Sequence, residues 1–358
     1  MREPGELDDV DVRIVAALQV APRADWQRIG QAVEVSASTA ARRWARMTGA
    51  GLAWISCHPM RLPGVSPIIA VIEVDCAPAR LYSVAEHLLD DPHAINVVHT
   101  TGPCDLLVTA AFADHASLAR YVGFRLGELD GVTGIRSQVA TTLHADGTRW
   151  RLHRFTGDTL AALQRGRPPR PGTGRPVADP DETDMAVIAA MSTDCRQSIV
   201  DIADRAGLSP TTVQRRLARL EADRLLVYRC EVARDLSGWP VAVTLWGSVP
   251  PSGVAPIAAQ LAGLREVRMC MSLTGRHNLT FTVWVPSLDD VEALETNLTT
   301  RIPDLVIADR AVTLWPLKHG GHILDPRGRH IRLVPVGPWP DSKAADAESA
   351  FLQRLRDA

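Results

Sequence analysis

Thr211, Thr212, Gln214, Arg215, Arg216 and Arg219 lie within nine residues of one another. Two hydroxyls, an amide and three guanidinium groups are the side chains that engage base edges and phosphate oxygens. They need a helix to present them. Ser209 is suited to cap one, and Pro210 follows at the first helical position, where its missing N–H costs nothing. Val213, Leu217 and Leu220 recur at i, i+4 and i+7 and form the stripe to be buried. A second chemical group is Arg276-His277-Asn278, whose histidine is suited to acid–base work. His319-Gly320-Gly321-His322 brings two histidines close, but reads as a flexible loop rather than a metal site. No glycine-rich phosphate loop, nucleophile elbow or metal-ligand spacing occurs, so no metal and no cofactor is expected.

A solvated basic face has the same composition as a reading helix, so the context must decide. Shifting the sequence by 173 positions, so that Asp11 falls on Asp184, aligns it with itself without a gap. Arg23 falls on Arg196, Ser36 on Ser209 and Thr39 on Thr212. Arg42, Arg43 and Arg46 fall on Arg215, Arg216 and Arg219, and Thr101-Gly102 falls on Thr274-Gly275. Residues 7–143 and 180–316 are therefore two copies of one unit.

Each copy begins with three short helices. The acidic start at Asp8, Asp9 and Asp11 favours a helix N-terminus. Trp26, Ile29 and Val33 mark the next helix, and a tight turn leads to the third, capped by Ser36. This is a helix-turn-helix. Its turn wants positive φ, which Gly207 supplies in the second copy and Glu34 supplies less well in the first. The β-prone stretches Trp54–Cys57 and Leu225–Tyr228 come next, as a wing or a connecting strand. Each copy then alternates strand and helix in the order βαββαβ, that of a ferredoxin-like domain. The fold class is α+β, with two copies of a helix-turn-helix followed by a βαββαβ domain. The boundaries are 1–62 and 63–145 for the first copy, and 179–236 and 237–318 for the second. A Pro/Gly/Arg linker spans 146–178, and a tail spans 319–358. Phe351 and Leu355 in the tail's short helix are available to dock on the body or on a partner.

At 358 residues, with 46% hydrophobic and 22% charged residues, the chain is a globular protein of two or three domains. A net charge of −2 means that any polyanion must be met by local patches. Cys57, Cys76, Cys104, Cys195, Cys230 and Cys270 include no C-x-x-C pair, which points to reduced thiols in a cytosol. The acidic N-terminus has no apolar run, so no signal peptide is expected. No apolar stretch approaches the ~20 residues of a membrane helix. A cytoplasmic protein with no membrane partner is expected.

The arrangement resembles the feast/famine regulators, the Lrp/AsnC family. The residues that carry the resemblance are Leu7-Asp8, Asp11 and Ile14-Val15; Arg23 and Arg196; and Gly207-Leu208-Ser209 through Val213 and Arg216. Thr101-Gly102-Pro103-Cys104-Asp105-Leu106 and Thr274-Gly275-Arg276-His277-Asn278-Leu279 complete it. The resemblance implies a transcriptional regulator that binds double-stranded DNA. Its reading helices would use Ser209, Thr211, Thr212, Gln214, Arg215, Arg216 and Arg219, and Ser36, Ser38, Thr39, Arg42, Arg43 and Arg46. It also implies a small effector such as an amino acid near Gly102 and Asp105, and near Gly275 and Asn278, where the neutral Asn278 departs from the pattern. Pairing of domains implies a homo-oligomer, with an intrachain pseudo-dimer made by the two copies.

The expectation drawn from this resemblance is that the chain is not an enzyme. Siroheme decarboxylases share the two-part architecture and are the enzymatic alternative. Arg276, His277, Asn278 and a displaced Trp284 match part of their pattern, whereas the first copy has Pro103-Cys104-Asp105. A scaffold with decayed helix-turn-helices is a third reading, opposed by the unbroken second reading helix.

Overall fold

The computed structural model describes residues 6–59, 63, 67–148, 150–165, 177–192, 194–337 and 342–357. The first copy opens with α1 (Asp9–Val20), α2 (Trp26–Val33) and α3 (Ala37–Gly49), followed by β1 (Ala53–Pro59). It continues with β2 (Ile68–Cys76), α4 (Leu81–Leu89), β3 (Ala94–Thr100), β4 (Leu106–Phe112), α5 (His115–Arg120) and β5 (Val132–Ala145). A π-helical turn, Tyr121–Leu126, extends α5. Within the expected linker, Gly157–Gln164 forms α6 and buries Leu163 on the first helix-turn-helix core. The rest of that Pro/Gly/Arg stretch, residues 166–176, lies outside the described residues.

The second copy repeats the order with α7 (Glu182–Met191), α8 (Ile199–Ala206), α9 (Pro210–Ala222) and β6 (Leu226–Val232). Then come β7 (Val241–Ser248), α10 (Val254–Ala262), β8 (Val267–Leu273), β9 (Leu279–Val285), α11 (Asp289–Arg301) and β10 (Val306–His319). The tail adds β11 (His322–Leu324), β12 (His330–Leu333) and α12 (Ser342–Asp357). By its contacts the chain forms two compact units. One comprises 1–66 and 148–237, with both helix-turn-helices; the other comprises 67–147 and 238–358, with all remaining strands.

In the helical unit the caps are those the sequence implies. Asp8 and Asp11 form a reciprocal capping box at α1, and Asp181 and Asp184 form its counterpart at α7. Ser36 and Ser209 accept the N–H groups of Thr39 and Thr212 at the starts of α3 and α9. Both turns take the left-handed conformation, Gly207 at φ 67° and Glu34 at φ 61°. The glutamate does so against its steric preference. The strands after each helix-turn-helix are neither wings nor simple connectors. β1 and β6 pair with each other, antiparallel, with Ser56 opposite Arg229. Each strand packs under the other copy's helices. Cys230 and Val232 enter the core of α1–α3, and Cys57 enters that of α7–α9.

In the other unit the strands correct the expected fold. The order βαββαβ is present twice, but not as two separate sheets. β2, β3, β4 and β5 join β7, β8, β9 and β10 in one closed eight-stranded barrel, through the cross-copy pairs β5–β8 and β10–β3. The two junctions correspond, because Ala140 lies opposite Leu273 and Thr313 opposite Thr100. The physical reason is that β3 and β8 would otherwise be open edges, with a row of unpaired backbone groups. Two cores lie between the sheet and its helices, one around Ile72, Leu88 and Phe112 and one around Leu261, Phe281 and Leu298. A third fills the inner face with Val71, Leu107, Trp246, Met271 and Ala311.

The tail continues the sheet beyond β10 as the hairpin β11–β12. The His319–His322 loop is the tight turn that joins β10 to β11, with Gly320 and Gly321 at positive φ. Gly321 and Gly337 donate backbone N–H groups to Ile95 and Pro92. Phe351 of α12 meets Phe124 with tilted rings, and Arg120 pairs with Glu348 at 2.9 Å, so the tail helix docks on the first copy. Among the described residues, no helix is long and apolar enough to cross a membrane, and no cluster is placed to hold a metal ion.

Lys318 is fully buried at the root of the tail and donates from Nζ to the carbonyl oxygen of Asp91 at 2.7 Å. Burial pushes its ammonium down to about 8, although Asp91 and Asp90 favour the charged form. The unfolded chain therefore binds the proton more tightly than the folded one. Between about pH 8 and 10 Lys318 contributes stability that rises with pH, while the thiols that burial raises, Cys104 among them, act in the opposite direction. Chemical denaturation across this range is expected to show the native chain gaining about 2–3 kcal/mol relative to a Lys318→Met variant, which keeps the thiols and lacks the ammonium.

Candidate functional site

Two surfaces hold the sequence-derived candidates. On the reading helices, four of the arginines expected to meet DNA hold carboxylates of their own copy. Arg43 reaches Asp8 at 2.8 Å and Asp11 at 3.1 Å, and Arg46 reaches Asp11 at 2.5 Å. The second copy repeats the clamp, with Arg216 on Asp181 at 2.6 Å and Arg219 on Asp184. Asp11 and Asp184 are buried beneath these guanidinium groups. Burial pushes the Asp8 carboxyl up, but Arg43 and the N–H groups of Asp11 and Val10 together hold it below the ordinary range. Asp181 is held low first by the Asp184 N–H and then by Arg216. Ser36, Thr39, Ser209 and Thr212 are engaged in the caps, and Ser36 Oγ also meets Ser38 Oγ at 3.0 Å. Thr211, Gln214, Arg215 and, in the first copy, Ser38 and Arg42 remain on the exposed face.

The second surface is the pair of turns after β3 and β8. Thr101 exchanges hydrogen bonds with Val312 of β10, and Thr274 does the same with Val139 of β5. Each turn is thus seated on the other copy's last strand. Gly102 has φ 91° and lies so close to the Arg310 carbonyl that a Cβ would sit 2.7 Å from it. A Cβ at Gly275 would instead meet the side chain of Gln138. Asp105 and Asn278 do matching work. Asp105 accepts the N–H of Cys76 at 2.7 Å, and Asn278 both accepts from and donates to the Val249 backbone, at 3.0 and 2.7 Å. The polar ends proposed to hold an effector therefore fix the turns.

What surrounds the turns differs between copies. At the first, Arg136 donates to Glu73 at 2.8 Å, to both oxygens of Asp75 at 2.7 and 3.0 Å, and to the carbonyl of Pro103 at 2.8 Å. Cys104 is buried there and its thiol is pushed up to about 12 by burial, so it stays protonated. At the second, half-buried His277 meets Ser248 Oγ through Nδ1 at 3.1 Å, and Arg276 is exposed. Sequence reasoning singled out His277 but missed Ser248, Glu73 and Arg136. The available signal was Glu73 and Asp75, two carboxylates at alternate positions of the otherwise apolar β2.

Residues 7–48 and 181–221 match the AsnC-type helix-turn-helix domain, and residues 69–149 match the Lrp/AsnC ligand binding domain. An uncharacterized HTH-type transcriptional regulator of Pyrococcus horikoshii is 26% identical over 141 residues, covering 38% of this chain and 88% of that one. The HTH-type transcriptional regulator Ptr1 of Methanocaldococcus jannaschii is 23% identical, covering 40% of this chain and 97% of its own. Each relative thus corresponds to about one copy. The whole chain is similar in fold to the siroheme decarboxylase NirDL, with TM-score 0.57 and 13% identity over 97% of this chain and 100% of that one. The same enzyme in complex with an iron-uroporphyrin III analogue gives TM-score 0.56 and 14% identity at the same coverage. This overturns the expectation of a non-enzymatic chain, because the full-length likeness is to an enzyme.

The arginine clamps predict a stability effect. Asp184→Ala leaves Arg216 and Arg219 over an empty, buried position and removes half of a capping box. It is expected to lower the unfolding free energy by about 3 kcal/mol. Arg215→Ala, on the exposed face, is expected to change it by less than about 0.5 kcal/mol. Urea denaturation of the two variants measures both. Because Asp8 and Asp181 lie below their ordinary values when folded, the clamps act fully above about pH 4 and are lost as pH falls further.

Proposed function

The chain belongs to the Lrp/AsnC family in a tandem-duplicated form, and from that premise we propose that it is an enzyme of the siroheme-decarboxylase kind. Its substrate is then an iron tetrapyrrole that bears carboxylate side chains. The observation that carries this reading is the full-length fold likeness, in which both copies correspond to one decarboxylase chain. The occupied arginines of α3 and α9 support it, since four of the cations suited to phosphate are spent inside the helical unit.

The reaction asks little of the protein beyond binding and a proton. A carbon–carboxylate bond breaks, carbon dioxide leaves, and the electron pair left on carbon takes up a proton. His277 is the group we assign to deliver it. Nδ1 is held by Ser248, which leaves Nε2 for transfer. Cys104, its counterpart in the first copy, has a thiol too weakly acidic for the task.

The second reading is DNA-binding regulation, with a small effector such as an amino acid at the turns and assembly through the barrel. The exposed Thr211, Gln214 and Arg215 on a well-capped helix favour it.

Anaerobic incubation with siroheme, followed by chromatography and mass spectrometry, separates the two. The enzyme reading expects products lighter by carbon dioxide. It also expects kcat about 10²–10³-fold lower in His277→Ala. Absence of turnover, together with salt-steep duplex binding that Arg215→Ala relaxes at one base position, would establish the regulator instead.

A further inference from the structure

We infer that the two turns are not equivalent sites, and that only the second, Thr274–Leu279, receives a carboxylate-rich ligand, with Ser248 positioning His277 there. For the ligand's identity this rests on the decarboxylase reading; the inequality itself does not.

The argument is electrostatic and compares positions 173 residues apart. Three carboxylates gather at the first turn, those of Glu73, Asp75 and Asp105. In the second copy the same places hold Trp246, Ser248 and Asn278, none of them charged. Pro103-Cys104 becomes Arg276-His277. Only the exchange of Arg136 for Asp309 runs the other way. A polycarboxylate approaching the first turn meets an excess of negative charge, and Arg136 is fully committed to Glu73, Asp75 and the Pro103 carbonyl. At the second turn it meets an exposed guanidinium and an imidazole. Like charges disfavour an interface more reliably than opposite charges strengthen it.

Two carboxylates lie toward the second turn, Asp309 opposite Trp246 and, from the first copy, Glu73. Arg136 neutralises the latter, and Gln138 stands between, with Nε2 3.3 Å from Glu73 and its side chain against Gly275. The position of Asp75 is taken by Ser248, which is neutral and donates or accepts a single hydrogen bond. That exchange turns an anchor for Arg136 into an anchor for His277.

The test titrates the full chain with the iron complex of uroporphyrin III, followed by visible absorbance. One complex per chain is expected. Asn278→Asp should weaken it about tenfold; the aspartate keeps the acceptor for the Val249 N–H, as Asp105 does for Cys76, and gives up only the Nδ2 bond to the Val249 carbonyl. Asp75→Asn should leave affinity unchanged. Two complexes per chain, or one that responds to Asp75→Asn and not to Asn278→Asp, would overturn the inference. Failure of the native chain to bind overturns both this inference and the decarboxylase reading. Binding of one complex without turnover of siroheme upholds this inference and overturns only that reading. For Ser248, the expected signature is lower kcat at unchanged KM in Ser248→Ala, restored by Ser248→Thr. A loss of both parameters alike, without rescue, would make its role merely structural.

Discussion

Neither copy of the repeat can satisfy its own strand edges. β3 and β8 each end a four-stranded sheet, and β1 and β6 each lack any other partner. Unpaired backbone groups at such edges are a standing cost unless another strand covers them. Each is covered by the other copy, and the rest follows. The closing of the barrel puts Val71, Trp246, Met271 and Ala311 into one core. It seats each glycine turn on the opposite copy's final strand. In the helical unit the exchange of β1 and β6 carries Cys57 and Cys230 into each other's helix-turn-helix cores. Arg23 and Arg196 make the same crossing as side chains, reaching the carbonyl oxygens of Cys195 and of Pro22 and Ala24.

Much of this was legible because it is local. The caps at Ser36 and Ser209, the left-handed residues Glu34 and Gly207, and the βαββαβ order all depend on residues a few positions apart. The single offset between the copies was legible without any structure. What the sequence hid is non-local. Nothing in β5 names β8 as its neighbour, because the alternation of residues specifies which face is buried and not which strand lies beside it. The partners of the arginines were hidden for the same reason. Arg43 and Arg216 have the right spacing for an exposed basic face, yet their partners stand 35 residues away at the start of the first helix. The candidate site was half visible. His277 stood out by type, whereas Ser248 acquires meaning only from its place beside that ring.

The clamps also reconcile a regulator-like sequence with a fold shared, over its full length, with an enzyme. The residues that mark a helix-turn-helix are largely those that hold it together. The capping boxes, Arg216, Arg219 and the Gly207 turn serve α7–α9 whether or not a duplex is ever bound. A match to the domain model therefore reports the architecture, while the exposed face of α9 and the setting of the two turns carry the information about use.

Two copies in one chain have a further consequence. In a symmetric dimer every substitution is made twice, so a change that suits one turn is imposed on its mate. Here Asp75 and Ser248 occupy matching places and are free to differ. The linkage also makes pairing an internal event, independent of how much protein is present. A lineage that fuses its dimer gains, with each later mutation, the choice of which half to alter.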